Sequence, residues 1–423
     1  MTLLLILTFL VSVLFWEKQI GGIPLTIRMI ISASITMVLL SCLYFIFIWT
    51  QIDFLWGLSI AFVLFLSYLI RIRKEFSFSI QFPNSHSILW VILISLAIIY
   101  YQKYVIPWGG WDAVAIWNLH AKFLADNNHW HDMFQHPLAW SHPDYPLFLP
   151  SLIAMGWKAL NEINYIVPVV LGVIPLIGVI SILFFAFNNK FIGVIAAFII
   201  LFDHHFIEQA ASQYADTWLA FFILMAVYLI SQLPKYPQLA WVLGLLVTTC
   251  GWIKNEGLLF FILASGIALI ALKNERKACF RYLISCSPVL LVLVMFKITW
   301  SPTNDMVSET NTSIYTKLGS WDRYELILQF LKKTILDDFP FIPGLIIFGI
   351  FLIKKTSPII LLIGLLIVLM FGIYLGIYVI TPKDLAWHLS TSFYRLMHQI
   401  YPSFLLCYFL AVEQNTKAFL SEN

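Results

Sequence analysis

The sequence predicts an all-α, polytopic membrane protein, and three observations carry that expectation. Hydrophobic residues make up 61% of the 423, and charged residues only 11%. Apolar runs of membrane-spanning length recur along the whole chain. A water-soluble domain carries about 25% charged residues, and so little polar material cannot cover a water-facing shell. Disordered, collagen-like and single-pass architectures fall on the same grounds. The net charge of +3, from 25 Lys+Arg against 22 Asp+Glu, gives no reason to expect a nucleic-acid partner. The five cysteines, at 42, 250, 279, 286 and 407, show no CxxC pair and no disulfide framework.

A hydrocarbon core of about 30 Å takes roughly 20 helical residues. Candidate spans are 3–16, 29–50, 53–70, 88–106, 163–187, 190–202, 214–232, 238–252, 256–272, 283–299, 340–353, 358–380 and 398–413. The expectation is about 11–13 transmembrane helices, with the shortest runs kinked or re-entrant. Thr2 to Trp16 lacks a basic leading region and a small-residue cleavage site, so it reads as a short membrane helix rather than a signal peptide. Basic residues in short turns set the orientation. Arg71, Arg73 and Lys74, then Lys190, Lys235, the group Lys273, Arg276, Lys277 and Arg281, and Lys354 with Lys355 all fall on one side, the cytoplasmic one. By elimination 107–162, 203–213, 253–256, 300–339 and 381–397 face outside. Residues 1–75 read as additional N-terminal helices. Residues 76–423 read as a single membrane domain whose large outer loop is 107–162.

The outer regions hold the unusual chemistry. Asp112 follows Trp108, Gly109, Gly110 and Trp111 at the outer end of a span. An acid at the membrane boundary is costly and is a functional hypothesis by default. Capping of a helix over 113–125 is the alternative, and both can hold together. That helix has Trp117 and Phe123 on its apolar side and Asn118, His120 and Lys122 among its polar residues, which suits an interfacial position. Three prolines between Ser141 and Pro150 stiffen the chain around His142, Asp144 and Tyr145. The loop holds five of the ten histidines, at 120, 129, 131, 136 and 142. No HExxH or i,i+4 ligand pair accompanies them, so no metal site is assigned and a divalent cation stays open.

Further along, Asp203, His204, His205 and Glu208 end one short span, and Asp216 sits on the first turn of the next. Capping would favour an acid there by only about 0.3–1 kcal/mol, which a serine could match. Lys254 and Glu256 interrupt two spans. They pair with one another, or Lys254 meets a phosphate, or both are snorkelling side chains of an ordinary turn. Trp387, His388 and Arg395 precede the last span. Arg395 offers a planar fork for phosphate or carboxylate, or else a plain interfacial anchor. Asp305, Glu309, Asp322, Arg323, Glu325, Asp337 and Asp338 read mostly as solvated loop or amphipathic helix.

The order of these features resembles the GT-C superfamily of membrane glycosyltransferases. Within it, the pattern is similar to the branch containing protein O-mannosyltransferases and aminoarabinose transferases. The residues that carry the resemblance are Trp111-Asp112-Ala113 at the start of the first outer loop, Asp144-Tyr145-Pro146-Leu147 later in it, and Tyr214-Ala215-Asp216-Thr217-Trp218 before an apolar helix. They fall within residues 88–260, and Tyr145 stands where the family usually has a lysine. The resemblance implies a GT-C-like fold with interfacial helices in the first large loop. It implies transfer of a sugar from a polyprenyl-phosphate donor to an extracytoplasmic glycan, lipid or protein, at the outer face of a bacterial inner membrane. Asp112, Asp216 and Asp144 become the catalytic candidates. Lys254, Glu256, His142, Tyr145, Arg395, Trp111 and His388 become the substrate-binding candidates. A transporter or flippase of lipid-linked saccharides is the main competing reading. A ligase of lipid-linked glycans and a ligand-free scaffold are the others.

Overall fold

The computed structural model describes residues 1–72, 85–126, 128–303, 314–352 and 356–422, and all regular structure among them is helical. Arg73, Lys74, Asp305, Glu309, Lys354 and Lys355 lie outside the described residues. Among the described residues, eight helices are long and apolar enough to cross a membrane. A ninth crossing results if Lys190–Phe202 and His204–Ala211, bent by 66° at their junction, count as one broken span. The chain is an integral multi-pass membrane protein.

In chain order, the first four helices are α1 (Thr2–Gln19), α2 (Leu25–Trp49), α3 (Phe54–Arg71) and α4 (Ser85–Tyr104). The segment 107–162 carries α5 (Asn118–Ala125) and α6 (Phe148–Leu160). Then come α7 (Ile166–Phe185), α8 (Lys190–Phe202), α9 (His204–Ala211), α10 (Ala215–Gln232), α11 (Ala240–Ile253), α12 (Glu256–Ala271) and α13 (Arg276–Thr299). The C-terminal part adds α14 (Ile314–Leu318), α15 (Trp321–Asp337), α16 (Ile342–Leu352), α17 (Pro358–Ile380) and α18 (Leu385–Glu422).

The crossing count is lower than the sequence led us to expect, for two reasons. Several apolar runs fold into helices too short to cross alone, among them Pro237–Ile253 and Glu256–Ala271, and α16 at 11 residues. The expected last span, 398–413, is an inner stretch of the 38-residue α18, flanked by polar turns. The segment 107–162 also contains a helix that the sequence did not lead us to expect. After Ser141 the chain turns rather than running extended, with His142 left-handed and Tyr145 N donating to His142 O, and from Phe148 α6 runs for 13 residues with most of its side chains buried.

At the centre lies α10, 89% buried along its apolar window, packed on α7, α11, α17 and α18. By contrast, α1, α3 and α4 are only 17–22% buried and present Ile60, Val63, Leu64, Val91 and Ile99 outward, as a lipid-facing surface requires. The helix α2 is different from its neighbours α1 and α3. It packs on α6, α7, α11 and α13, and its Ser41 hydroxyl donates to Phe148 O and accepts from Trp252 Nε1. Residues 1–72 are therefore continuous with the main bundle.

Helix direction then separates the two ends of the molecule. Asp216 opens α10, and at 1.5 Å per residue its 18 residues carry Lys235 roughly 27 Å away. Glu256 opens α12, whose far end leads to Lys273. Asn189 N donates to Glu413, far down α18 from Arg395. Lys190, Lys235 and Lys273 thus lie at the end opposite Asp216 and Glu256.

Candidate functional site

The end of the bundle that holds Asp216 encloses a cavity of about 440 Å³. Its near wall begins with the turn before Asp112. Gly109 has φ +81°, a left-handed conformation that side chains rarely adopt, and an added Cβ would lie 2.4 Å from that of Ala113. The N–H of Gly110 donates to Ser212 O, which ties this turn to the α9–α10 junction. Gln213 tightens the tie. Its Nε2 donates to Ile106 O and Pro107 O, and its Oε1 accepts from Asn118. Two segments about a hundred residues apart are thereby clamped, so Asp112 and Asp216 come to the same place. A π-helical turn, Ala113–Trp117, follows Asp112, a distortion often found at functional sites.

Both acids meet one guanidinium. Arg395 Nη2 lies 2.5 Å from Asp112 Oδ2 and 2.8 Å from Asp216 Oδ2. Tyr214 supports the guanidinium from below, with its ring centroid 4.6 Å from the central carbon. Asp216 is saturated. Its Oδ1 accepts from Lys254 Nζ at 2.9 Å and from Gln399 Nε2 at 2.7 Å, and Gln399 is itself fixed by the Tyr374 hydroxyl at 2.7 Å. Asp112 differs. It is less buried, its side chain makes no capping hydrogen bond, and Arg395 engages only Oδ2. The capping alternative therefore fails for Asp112.

Lys254 is the second cation of the cluster and reaches Glu256 Oε1 at 3.1 Å. Burial acts against its charge, but Asp216 and then Glu256 hold its ammonium above the ordinary value. Its neighbour Gly257 must be glycine, because an added Cβ would sit 1.8 Å from Cys250 O. Glu256 Oε2 is buried without a hydrogen-bond partner among the described residues. Tyr145 stacks between Trp117 (5.5 Å) and His142 (5.4 Å), with the Lys254 ammonium 5.7 Å from its ring. Burial, reinforced by Glu256, Asp144 and Asp112, pushes the Tyr145 phenol well up. It is a neutral donor where a lysine would have been a cation. Trp111 and His388 line the mouth beside the exposed Trp140 and Trp387.

Nine of the ten residues singled out from the sequence line this one cavity: Trp111, Asp112, His142, Tyr145, Asp216, Lys254, Glu256, His388 and Arg395. The tenth, Asp144, does not line it. Its Oδ2 accepts from Asn255 Nδ2 at 2.7 Å, and its backbone carbonyl takes Lys297 Nζ, so it braces the wall from behind. Sequence reading missed Gln399, Tyr374, Asn255, Lys297 and Gln213. A usable signal existed for the first, since His388, Ser392, Arg395 and Gln399 make a polar stripe at helical spacing along α18.

The loop histidines do not converge. His120 is buried against Ser141, and burial followed by the charge of His142 pushes it down to about 3. His129 pairs with Asp126 at the surface. Among the described residues no group of three or more His, Cys, Asp or Glu side chains is placed to hold a metal ion.

A second polar cluster flanks the first. His398 Nε2 lies 2.9 Å from Asp203 Oδ2, and His205 Nε2 lies 3.2 Å from Asp338 Oδ1. Asp338 was expected in a solvated segment. It is instead partly buried against α9, and burial raises its carboxyl above the usual range despite the nearby imidazoles. Arg323 likewise serves structure, donating to Tyr378 O, Val379 O and Thr381 O at the open end of α17.

Comparison of the chain with family models, with curated proteins and with solved structures returns no match.

Proposed function

We propose that this protein is a membrane glycosyltransferase that moves a sugar from a polyprenyl-phosphate donor to an acceptor at the extracytoplasmic face, in the manner of the GT-C superfamily. One observation carries the reading. Asp112 and Asp216 converge on a single arginine inside a cavity at one end of a lipid-embedded bundle. The cavity volume falls within the usual ligand-pocket range of roughly 300–1,000 Å³.

The roles divide by exposure and saturation. Asp112 Oδ1 is left for an acceptor hydroxyl, so Asp112 is the general base. It takes the hydroxyl proton as the acceptor oxygen attacks the anomeric carbon. The bond from that carbon to the phosphate oxygen breaks, and the polyprenyl phosphate leaves with the electron pair. This single displacement inverts the anomeric centre. Phosphate is a weakly basic leaving group, so its charge needs steadying more than its oxygen needs a proton. Arg395 and Lys254 supply positive charge for that purpose. Asp216 has no free acceptor atom and acts as a positioning residue that fixes both cations. Asp144 positions Asn255 and Lys297. Tyr145 and the tryptophans of the mouth offer ring faces to the sugar.

The test is product formation by the purified protein in detergent, given a polyprenyl-phosphate sugar and a hydroxyl acceptor. No second compartment exists there, so a transporter or flippase would yield no product. Asp112→Asn should bind donor normally yet transfer it about 100-fold or more slowly, the scale of a lost general base. Wild-type turnover in that variant would remove Asp112 from the role.

A further inference from the structure

The helical segment that carries Asp112 has a second working face. Val114, Asn118 and Lys122 follow one another at i, i+4 and i+8, so they form one stripe. Together with Trp108 and Tyr165 they line a groove of about 270 Å³. The residues of this segment that line the larger cavity are Asp112, Ala115 and Ile116, and none of them is shared with the groove. Trp108 follows the end of α4 and Tyr165 precedes α7, both of which are spans. The groove therefore opens at the membrane boundary, where Trp and Tyr are enriched.

Asn118 points to a ligand. It is 3% exposed, and its orientation is dictated by its neighbours. Its Nδ2 donates to Trp108 O at 3.2 Å and to Gln213 Oε1 at 3.3 Å. Gln213 cannot be turned around, because its own Nε2 serves two backbone carbonyls. Among the described residues, Asn118 Oδ1 is left buried and without a hydrogen-bond partner. A buried acceptor of this kind calls for a donor. One turn on, the exposed Lys122 supplies a cation that can only donate. The groove thus asks for a group with an anionic end and an N–H or O–H end, set beside two aromatic faces. It is also smaller than the cavity that would hold a sugar-bearing lipid head.

We infer that the groove formed by Trp108, Val114, Asn118, Lys122 and Tyr165 is an accessory site for a phospholipid headgroup that ends in a hydrogen-bond donor. The headgroup phosphate meets Lys122, and its terminal ammonium or hydroxyl donates to Asn118 Oδ1. An ethanolamine terminus adds a cation for the faces of Trp108 and Tyr165. This inference requires only that the chain sits in a membrane, so it stands apart from the reading of the larger cavity. Occupancy would brace the same Asn118–Gln213 contact that fixes the turn before Asp112.

The experiment uses the full-length protein, delipidated in detergent and titrated by native mass spectrometry with phosphatidylethanolamine, phosphatidylglycerol and phosphatidylcholine. Free phosphoethanolamine forms a fourth arm. Binding that disappears in Val114→Trp, which fills the groove from an exposed position, measures this site. The ethanolamine and glycerol lipids should occupy it, and phosphatidylcholine, whose terminus has no N–H or O–H, should bind about tenfold more weakly, the scale of one lost hydrogen bond to a charged group. Lys122→Glu should weaken all headgroups by about the same factor. Equal retention of the three lipids, or undiminished binding in both variants, would overturn the site. Saturation by free phosphoethanolamine at lipid concentrations would overturn the lipid as its occupant.

Discussion

Two polar clusters sit side by side along α18, and they are built on opposite principles. The cluster around Asp216 uses permanent cations, Arg395 and Lys254, and opens on a cavity. The cluster around Asp203 uses His398 and His205, is wedged against Phe339 and Tyr401, and supplies no residue to that cavity. A guanidinium keeps its charge at every physiological pH, whereas an imidazole is a group that changes charge near neutrality. The first cluster therefore holds its carboxylates in place whatever the surroundings. The second joins α8, α9, α15 and α18 mechanically. Polar density alone does not mark a site in a membrane protein. The mark is a fixed charge pair that leaves one carboxylate oxygen unsaturated beside empty space.

The contrast can be broken most decisively at Arg395. Arg395→Ala leaves Asp112 and Asp216 without their shared partner, and an uncompensated buried charge costs about 3–5 kcal/mol. The expected result is a large fall in melting temperature in detergent, or no folded protein at all. Arg395→Lys should recover part of that stability, since an ammonium lacks the planar fork but keeps the charge. If His398→Ala proved the more damaging of the two alanine variants, the ranking of the clusters would be reversed. The expected cost there is about 1–3 kcal/mol, the usual penalty for stranding one buried hydrogen-bonding group.

A smaller effect sharpens the role of Asp216. Gln399→Leu removes one of its three donors and should cost about 1–3 kcal/mol, while Tyr374→Phe, one step further out, should cost less. Chemical denaturation of the two variants checks that order. If Asp216 only positions its cations, as proposed, transfer assays on the same proteins should show kcat falling with donor KM little changed.

The smallest effect concerns pH. His120 stays neutral in the fold, held down to about 3 by burial and by His142. Its unfolded imidazole binds a proton below about 6.5. The folded state then binds fewer protons than the unfolded one, so stability falls as pH drops below about 6.5. Melting temperature measured from about pH 7 to about pH 5 should decline, and His120→Gln should flatten that slope. An unchanged slope would mean that other groups carry it.

Much of the site was legible in the residues, because charge near lipid is expensive enough to stand out. Asp112, Asp216, Lys254 and Arg395 were visible as isolated polar groups at the ends of apolar runs. Their partners were less visible. Gln399 continues the polar stripe of His388, Ser392 and Arg395 along α18, but Tyr374 sits in an apolar helix, where nothing in a linear pattern separates a buried network residue from an ordinary one. Asp144 shows the reverse error. Its stiff proline-bounded setting suggested presentation to a substrate, but Asn255 and Lys297 claim it from behind the wall. Helix counting erred for a related reason. Apolar runs report burial, and burial against protein reads the same as burial against lipid, so α11, buried along nearly its whole length, was scored as a span.

Composition and hydropathy by themselves determined that this chain is helical and lives in a membrane, since backbone groups in lipid must satisfy one another within a helix or a closed barrel. The sequence also marked which ends carry charge. Only the tertiary structure decided which charges meet. The Asp216–Arg395 pair spans 179 residues and the Asp112–Arg395 pair 283, and contacts that distant depend on how α10 and α18 pack. That packing is set by side-chain shape along whole helices, and no local run of residues encodes it.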